Sequence, residues 1–363
     1  MSSGSTSERV ELAGLTGAQL RAEARRRLPR GHGLASRLYR EAVGQGRFAP
    51  EALEGTSAEA AAAWRSHFAL SLPEVVRVAE EPGEHGTTAK AVLRLGDGLE
   101  VECVHIPMGR GRHTLCVSSQ VGCKMGCRFC ETARLGLLRH LRAHEIVGQL
   151  LVARHRLGWP VDHVVFQGMG EPLDNVEQVV QALRVMTDPA GLAMGQERFT
   201  VCTVGHLEGL RRLRAEGFRR LGLSVSLTMA EPEGRRRLVP ATRRWPLEAL
   251  REELLRYRPR RNFVLGVHYC LMPGINDRRE HARQVARFCE GMARVLVHVI
   301  PYNPGSEPLT QPPTDEEVVR FVGWLREEGL PVRRRITKGR SVMAACGQLG
   351  NPRLRRRLGH PWG

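Results

Sequence analysis

Cys123, Cys127 and Cys130 follow one another as C-x3-C-x2-C inside "CVSSQVGCKMGCRFC". Three thiolates on one short loop can hold three corners of a four-iron, four-sulfur cluster and leave the fourth iron open to a ligand. A structural zinc site would want a fourth ligand at comparable spacing. No second C-x2-C or His pair follows, although Cys116 or His113 could be recruited. Three inert core cysteines are the poorest fit, since the glycines and charges between them suit a solvent-facing loop.

Further residues gain meaning from their place beside that loop. In "FQGMGEP", Gly168 and Gly170 let backbone approach a ligand closely, and Glu171 can accept from an ammonium group. By itself Gly-Glu-Pro is an ordinary turn. In "LGLSVSLT", period-2 alternation sends Leu221, Leu223, Val225 and Leu227 to one face and Ser224, Ser226 and Thr228 to the other. Those hydroxyls either line a cofactor or are the small side chains that a barrel interior needs. Asn303 in "PYNP" is a rim residue or a plain turn asparagine. Cys346 sits in the Gly- and Ala-rich "AACGQLGN", and a lone cysteine there would be unremarkable without a second thiol upstream. Glu102 in "VECV" reads, on its own, as an exposed strand carboxylate.

The elements that must position these groups fall into a regular pattern. Residues 1–85 read as a small helical unit, with apolar residues at helical spacing and Thr or Ser before two of the segments. A β-rich connector covers 86–113, where "GDG" marks a hairpin turn. From 114 to 345 short apolar strands alternate with amphipathic helices, which predicts an α/β fold with a partial (β/α)6 barrel. Chemistry in such barrels gathers at the C-terminal ends of the strands. Thr314 and Glu317 form a capping-box signature ahead of the last helix. Residues 346–363 form the loop of Cys346 and a basic tail.

Composition narrows the partners. The chain carries a formal net charge of +17, which suggests a polyanion such as RNA, DNA or an anionic membrane face, or else only a solvated basic surface. Lysine occurs only at Lys90, Lys124 and Lys338, so the arginine bias is a weak argument for guanidinium recognition. The runs Arg25 to Arg27, Arg235 to Arg237, Arg333 to Arg335 and Arg355 to Arg357 are the candidate phosphate contacts. No RRM or KH signature is present. Neither a signal peptide nor a bilayer-length apolar run is visible, so a cytoplasmic location without a disulfide framework is expected.

Taken together, "TLCVSSQVGC.MGC.FC", "GMGEP", "MPGIND", "P.NP" and "ACGQL" resemble the RlmN/Cfr family of radical S-adenosylmethionine (SAM) RNA methyltransferases. The likeness runs over nearly the whole chain. It implies a [4Fe-4S] cluster on Cys123, Cys127 and Cys130 and two SAM molecules per turnover. It also implies SAM contacts at Gly170, Glu171, Cys202, Ser226, Leu227, Thr228 and Asn303. One SAM would methylate Cys346, and a second would be cleaved to a radical that abstracts hydrogen from the S-methyl group. The resulting methylene radical would add to adenine, Glu102 would remove the ring proton, and Cys116 would release the product through a transient disulfide with Cys346. The implied partners are ribosomal RNA, with transfer RNA as a second candidate, and an electron donor such as a flavodoxin or ferredoxin; the chain is expected to act as a monomer.

Departures from the family pattern surround this core. Cys202-Thr203-Val204-Gly205 stands where Ser-Thr-Ser-Gly is usual, and Ser226-Leu227-Thr228 where Ser-Leu-His is usual. Glu131-Thr132-Ala133 replaces Ala-Thr-Gly, Arg139-His140-Leu141 replaces Arg-Asn-Leu, and Ser341-Val342-Met343 replaces acidic residues before "ACGQL". A diverged radical SAM enzyme with a non-RNA substrate, or a non-catalytic metal-stabilised RNA-binding protein, therefore remains an alternative. The sequence leaves carbon 2 and carbon 8 of adenosine both open.

Overall fold

A computed structural model describes residues 9–292 and 294–350 of the protein. Its centre is a ten-stranded sheet whose spatial order follows the chain. The strands are β1 (Glu74–Glu81), β2 (Thr88–Arg94), β3 (Glu100–Pro107), β4 (His113–Val117), β5 (His163–Phe166), β6 (Phe199–Thr203), β7 (Gly222–Ser226), β8 (Leu265–Leu271), β9 (Val295–Pro301) and β10 (Val332–Arg334). From β4 to β10 every neighbouring pair is parallel, and from β1 to β4 every pair is antiparallel. The parallel part is the partial barrel, with β4 to β9 as its six strands and β10 added at the edge. Helices between these strands close the crossovers that parallel pairing requires.

Alternation along the strands separates an outer, apolar face from an inner, chemical one. On β8, Tyr269 stacks on Phe321 of the helix Asp315–Glu327 with ring centroids 4.9 Å apart, while His268 and Cys270 line the internal cavity. The capping box ahead of that helix is present: Thr314 Oγ1 accepts from the Glu317 amide at 3.3 Å, and Glu317 Oε2 accepts from the Thr314 amide at 2.8 Å.

Before the sheet lie helices Gly17–Arg27, Ala35–Tyr39 and Ala58–His67; Trp64 of the last is fully buried, and its indole donates to Gly31 O at 3.0 Å. The helices end at His67, so β1 lies within the stretch assigned to the N-terminal unit yet forms the outer edge of the large sheet. The expected hairpin between β2 and β3 turns through Asp97 and Gly98, with the Gly98 amide donating to Leu95 O at 2.9 Å. Among the described residues no helix is long and apolar enough to cross a membrane.

One basic run changes its meaning in three dimensions. Arg235 is only 2% exposed, and its guanidinium donates to the carbonyls of Leu227, Ser226 and Val204 at the ends of β7 and β6. It braces the barrel mouth and is unavailable to a phosphate. Arg237 in the same run stays exposed, whereas Arg355 to Arg357 lie outside the described residues.

Candidate active site

The three spaced cysteines occupy the loop that leaves β4, after a short ribbon strand at Gln120–Gly122. A positive φ of 69° at Gly126 turns the chain back between Cys123 and Cys127. The loop is clasped by the segment that carries Arg235: the Arg128 amide donates to Leu238 O at 3.0 Å and the Ala241 amide to Met125 O at 3.2 Å. Lys124 reaches out to pair with Asp174 at 2.8 Å, and Asp174 also accepts from Gln120 Nε2 at 2.8 Å. Hydrogen bonds from His206, Lys124 and Gln120 outweigh the effect of partial burial and hold the Asp174 carboxyl far below the usual carboxylate range.

All three cysteines line one cavity that opens at the C-terminal ends of the parallel strands. Among the described residues no three His, Cys, Asp or Glu side chains converge as a single metal ion would require. A four-iron cluster spreads its thiolates around a body several atoms wide, so a cavity with three thiols on one wall fits it better than it fits zinc. Burial pushes the thiols of Cys123, Cys127 and Cys130 up, as expected where the charge that would draw off their protons belongs to the bound metal.

The opposite walls bring together most of the residues singled out from the sequence. Gly170, Glu171, Ser226, Thr228 and Cys346 face the same cavity. Glu171 is buried; its carboxylate accepts from the Leu173 amide at 3.0 Å and the Val204 amide at 2.9 Å, and burial raises its pKa. Thr228 adopts φ 57°, a left-handed conformation that a β-branched residue rarely takes. It is held there by Asn276 of "PGIND", which donates to Thr228 O and to Cys270 O, both at 2.7 Å.

Other expected contacts stand off the cavity. Leu227 is fully buried in the core. Cys202 donates its thiol to Gln167 Oε1 at 3.5 Å, and Asn303 turns its amide to Cys346 O at 3.5 Å. Gln167, His268 and Cys270 line the cavity instead, none of them singled out from the sequence. Their only signal was position, since alternation on β8 sends His268 and Cys270 inward.

Cys346 reaches the cavity on a loop fixed from several sides. The Glu131 amide donates to Gly347 O at 2.8 Å, and Thr132 Oγ1 donates to Leu349 O at 2.6 Å. Glu102 is a buried residue, not the exposed strand carboxylate suggested by its local sequence. Its Oε2 accepts from the Gly350 amide at 2.9 Å, and its Oε1 lies 3.3 Å from Lys90 Nζ, which also donates to Met343 O at 2.9 Å. Cys116 is buried on β4, and burial raises its thiol pKa well above the usual range, with the neighbouring Cys346 and Cys202 thiols adding to the effect and the Gln167 backbone amide opposing it. All nine cysteines are free, so the disulfide expected between Cys116 and Cys346 is not formed in the structure.

The radical SAM superfamily profile matches residues 117–289. A probable dual-specificity RNA methyltransferase RlmN of Protochlamydia amoebophila is 42% identical over 272 residues, 75% of this chain and 75% of that protein. The chain belongs to the RlmN family of radical SAM RNA methyltransferases. A probable RNA methyltransferase of Sorangium cellulosum is 41% identical over 304 residues, covering 81% of this chain and 74% of its own length. The crystal structure of a radical SAM methyltransferase from Sphaerobacter thermophilus superposes with a TM-score of 0.85 at 32% identity, over 94% of this chain and 99% of the other.

Within an RlmN-family barrel, several departures from the usual sequence have local partners. Glu131 is 3% exposed, and its carboxylate accepts from the Ser306 amide at 2.7 Å and Ser306 Oγ at 2.9 Å, tying the cluster loop to the "PYNPGS" turn. Ser341 stands where an acidic residue is usual, and there the loop is anchored by Glu81 of β1, which accepts from the amides of Gly339 and Ser341. The Lys90–Glu102 pair is buried on both sides, so Lys90→Met should leave an uncompensated carboxylate and lower the unfolding free energy by about 3–5 kcal/mol. Urea denaturation would read the loss; a midpoint unchanged from wild type would mean that Glu102 finds its support elsewhere.

Proposed function

We propose that the protein adds a methyl group to carbon 2 or carbon 8 of an adenosine in 23S ribosomal RNA, with transfer RNA as a second substrate. The reading rests on one observation: Cys346 lines the same cavity as the three spaced cysteines, with Cys116 and Cys202 next to it. Ring carbons of adenine are too electron-poor to attack the methyl of SAM, so a one-carbon unit has to be delivered by another group. Cys123, Cys127 and Cys130 would hold a four-iron cluster, with SAM against Gly170, Glu171, Ser226 and Thr228, and the cluster would supply the electron for reductive cleavage of SAM.

The remaining work falls to the chain's own side chains. Cys346 accepts a methyl from the first SAM and becomes the carbon donor. Glu102, kept close to the Cys346 loop by Gly350 and Lys90, removes the proton from the substituted ring. Cys116 attacks the Cys346 sulfur, the sulfur–carbon bond to the RNA breaks, and the carbon keeps the electron pair and takes up a proton to become the methyl group, leaving a disulfide that an external reductant reopens. Two SAM molecules are used in each cycle, and the electrons come from a small carrier such as a flavodoxin or ferredoxin.

The same reading assigns residues 1–85 to an RNA-contacting accessory unit, 86–113 to a connector, 114–345 to the barrel and 346–363 to the donor loop and basic tail, in a monomer acting in the cytoplasm. Peptide mass spectrometry of anaerobically purified protein should find Cys346 heavier by one CH2 unit. Protein replete in iron and sulfide that cleaves SAM yet never carries that methyl would overturn the reading.

A further inference from the structure

The proposed chemistry leaves Gln167 without a role, although the residue sits among three thiols. Its Nε2 donates to Cys346 Sγ at 3.8 Å, its Oε1 accepts from Cys202 Sγ at 3.5 Å, and its backbone amide acts on Cys116. A glutamine amide can face either way, and which end points at a sulfur is decided by its partners. Here the Cys202 thiol, only 5% exposed, finds the Oε1 acceptor, which turns the Nε2 donor toward Cys346.

We propose that Gln167 is the positioning residue for the Cys346 sulfur, and that Cys202 is the anchor that fixes the direction of the amide rather than a contact to SAM. The inference rests on Cys346 being the methyl acceptor. In that step the Cys346 thiol first loses its proton to solvent. A sulfur lone pair then forms the bond to the methyl carbon, the carbon–sulfonium bond of SAM breaks, and its electron pair stays on sulfur as S-adenosylhomocysteine. Burial raises the Cys346 thiol pKa, with the Arg335 guanidinium opposing and the Cys130 thiol adding to the rise; the N–H of Gln167 aimed at the sulfur adds to the thiolate side and fixes the direction of the attacking lone pair. The cause of the Cys202 departure from serine then lies on the neighbouring strand: position 202 needs a donor for Oε1, and a thiol or a hydroxyl supplies one.

The test measures the sulfur directly. Full-length, cluster-replete protein is treated with iodoacetamide across a pH series, and alkylation of the Cys346 peptide is followed by mass spectrometry. Gln167→Leu should move the alkylation profile up by about half to one pH unit, a loss of the order of one neutral hydrogen bond. At neutral pH, S-methyl-Cys346 formation from added SAM should fall by roughly threefold to tenfold. Cys202→Ala should follow Gln167→Leu, while Cys202→Ser should keep the wild-type profile because a hydroxyl still donates to Oε1. A Gln167→Leu profile that overlays the wild type sinks the proposal, as does Cys202→Ser behaving like Cys202→Ala. Thermal unfolding and iron content of each variant identify any that merely misfold, and the Cys202 pair then decides alone. If wild-type Cys346 never acquires a methyl from SAM, the methyl-acceptor reading fails, while the alkylation profiles still report on Gln167.

Discussion

With alanine in place of Cys346, RNA incubated with cluster-replete protein, SAM and reductant should emerge without a new methyl carbon. The expected fall is about a thousandfold or more, ~4 kcal/mol on the barrel-catalysed barrier. The size follows from the chemistry of the acceptor, a thiol that is both a good nucleophile and a removable link and is carried on a loop, whereas the one other cavity thiol outside the cluster loop, Cys270, is fixed on β8, where burial pushes its pKa up. The other cavity thiols are Cys123, Cys127, Cys130 and Cys270, of which three belong to the cluster loop. SAM cleavage itself should persist, since none of the residues proposed to hold the cluster or SAM is altered. Chromatography of SAM fragments alongside mass spectrometry of the RNA separates the two outcomes. Full methylation by Cys346→Ala would remove Cys346 from the mechanism altogether.

Cys116→Ala should fail at a later point and leave a different trace. Methyl transfer to Cys346 and addition to the ring require nothing from Cys116, so protein and RNA should accumulate as a covalent adduct that survives denaturation and disappears on nuclease digestion. Free methylated RNA should fall by at least about a hundredfold. The wild type should show a matching pH effect. Burial raises the Cys116 thiol pKa well above the usual range, so the attacking thiolate is scarce at neutral pH. Release of RNA should therefore accelerate as pH rises through 7 to 9, by up to about tenfold per unit while the thiol remains mostly protonated. A release rate flat over that span would mean that the thiolate is formed by a local base instead.

What could be read from the sequence was what depends on short spacing. C-x3-C-x2-C, the strand that precedes it and the βα alternation are local patterns, and each specifies a local geometry. The partners of those patterns are tertiary, and sequence gives them no signature. Arg235 reads as part of a basic run, yet three carbonyls at the ends of two strands bury it. Glu102 reads as an exposed carboxylate because its strand looks peripheral, and it is buried because Lys90 and Gly350 arrive from elsewhere in the chain. Cys202 reads as a cofactor contact from its place in a motif; its thiol donates to Gln167 Oε1, and of the two Gln167 is the one among the cavity's lining residues.

The antiparallel strands β1 to β3 and the loop of Cys346 together set an order of assembly. The loop is held by Glu81, Lys90, Glu102, Glu131 and Thr132, across sequence separations of 253 residues for Lys90 to Met343 and 217 for Thr132 to Leu349. Contacts that close such long stretches of chain form late, because their entropy has to be offset by structure already in place. The cluster loop and the barrel strands next to it are complete within a much shorter span. During synthesis the segment with Cys123, Cys127 and Cys130 is therefore in place before the loop of Cys346 can be seated, so that under the proposed chemistry a half-made chain has no carbon donor in position.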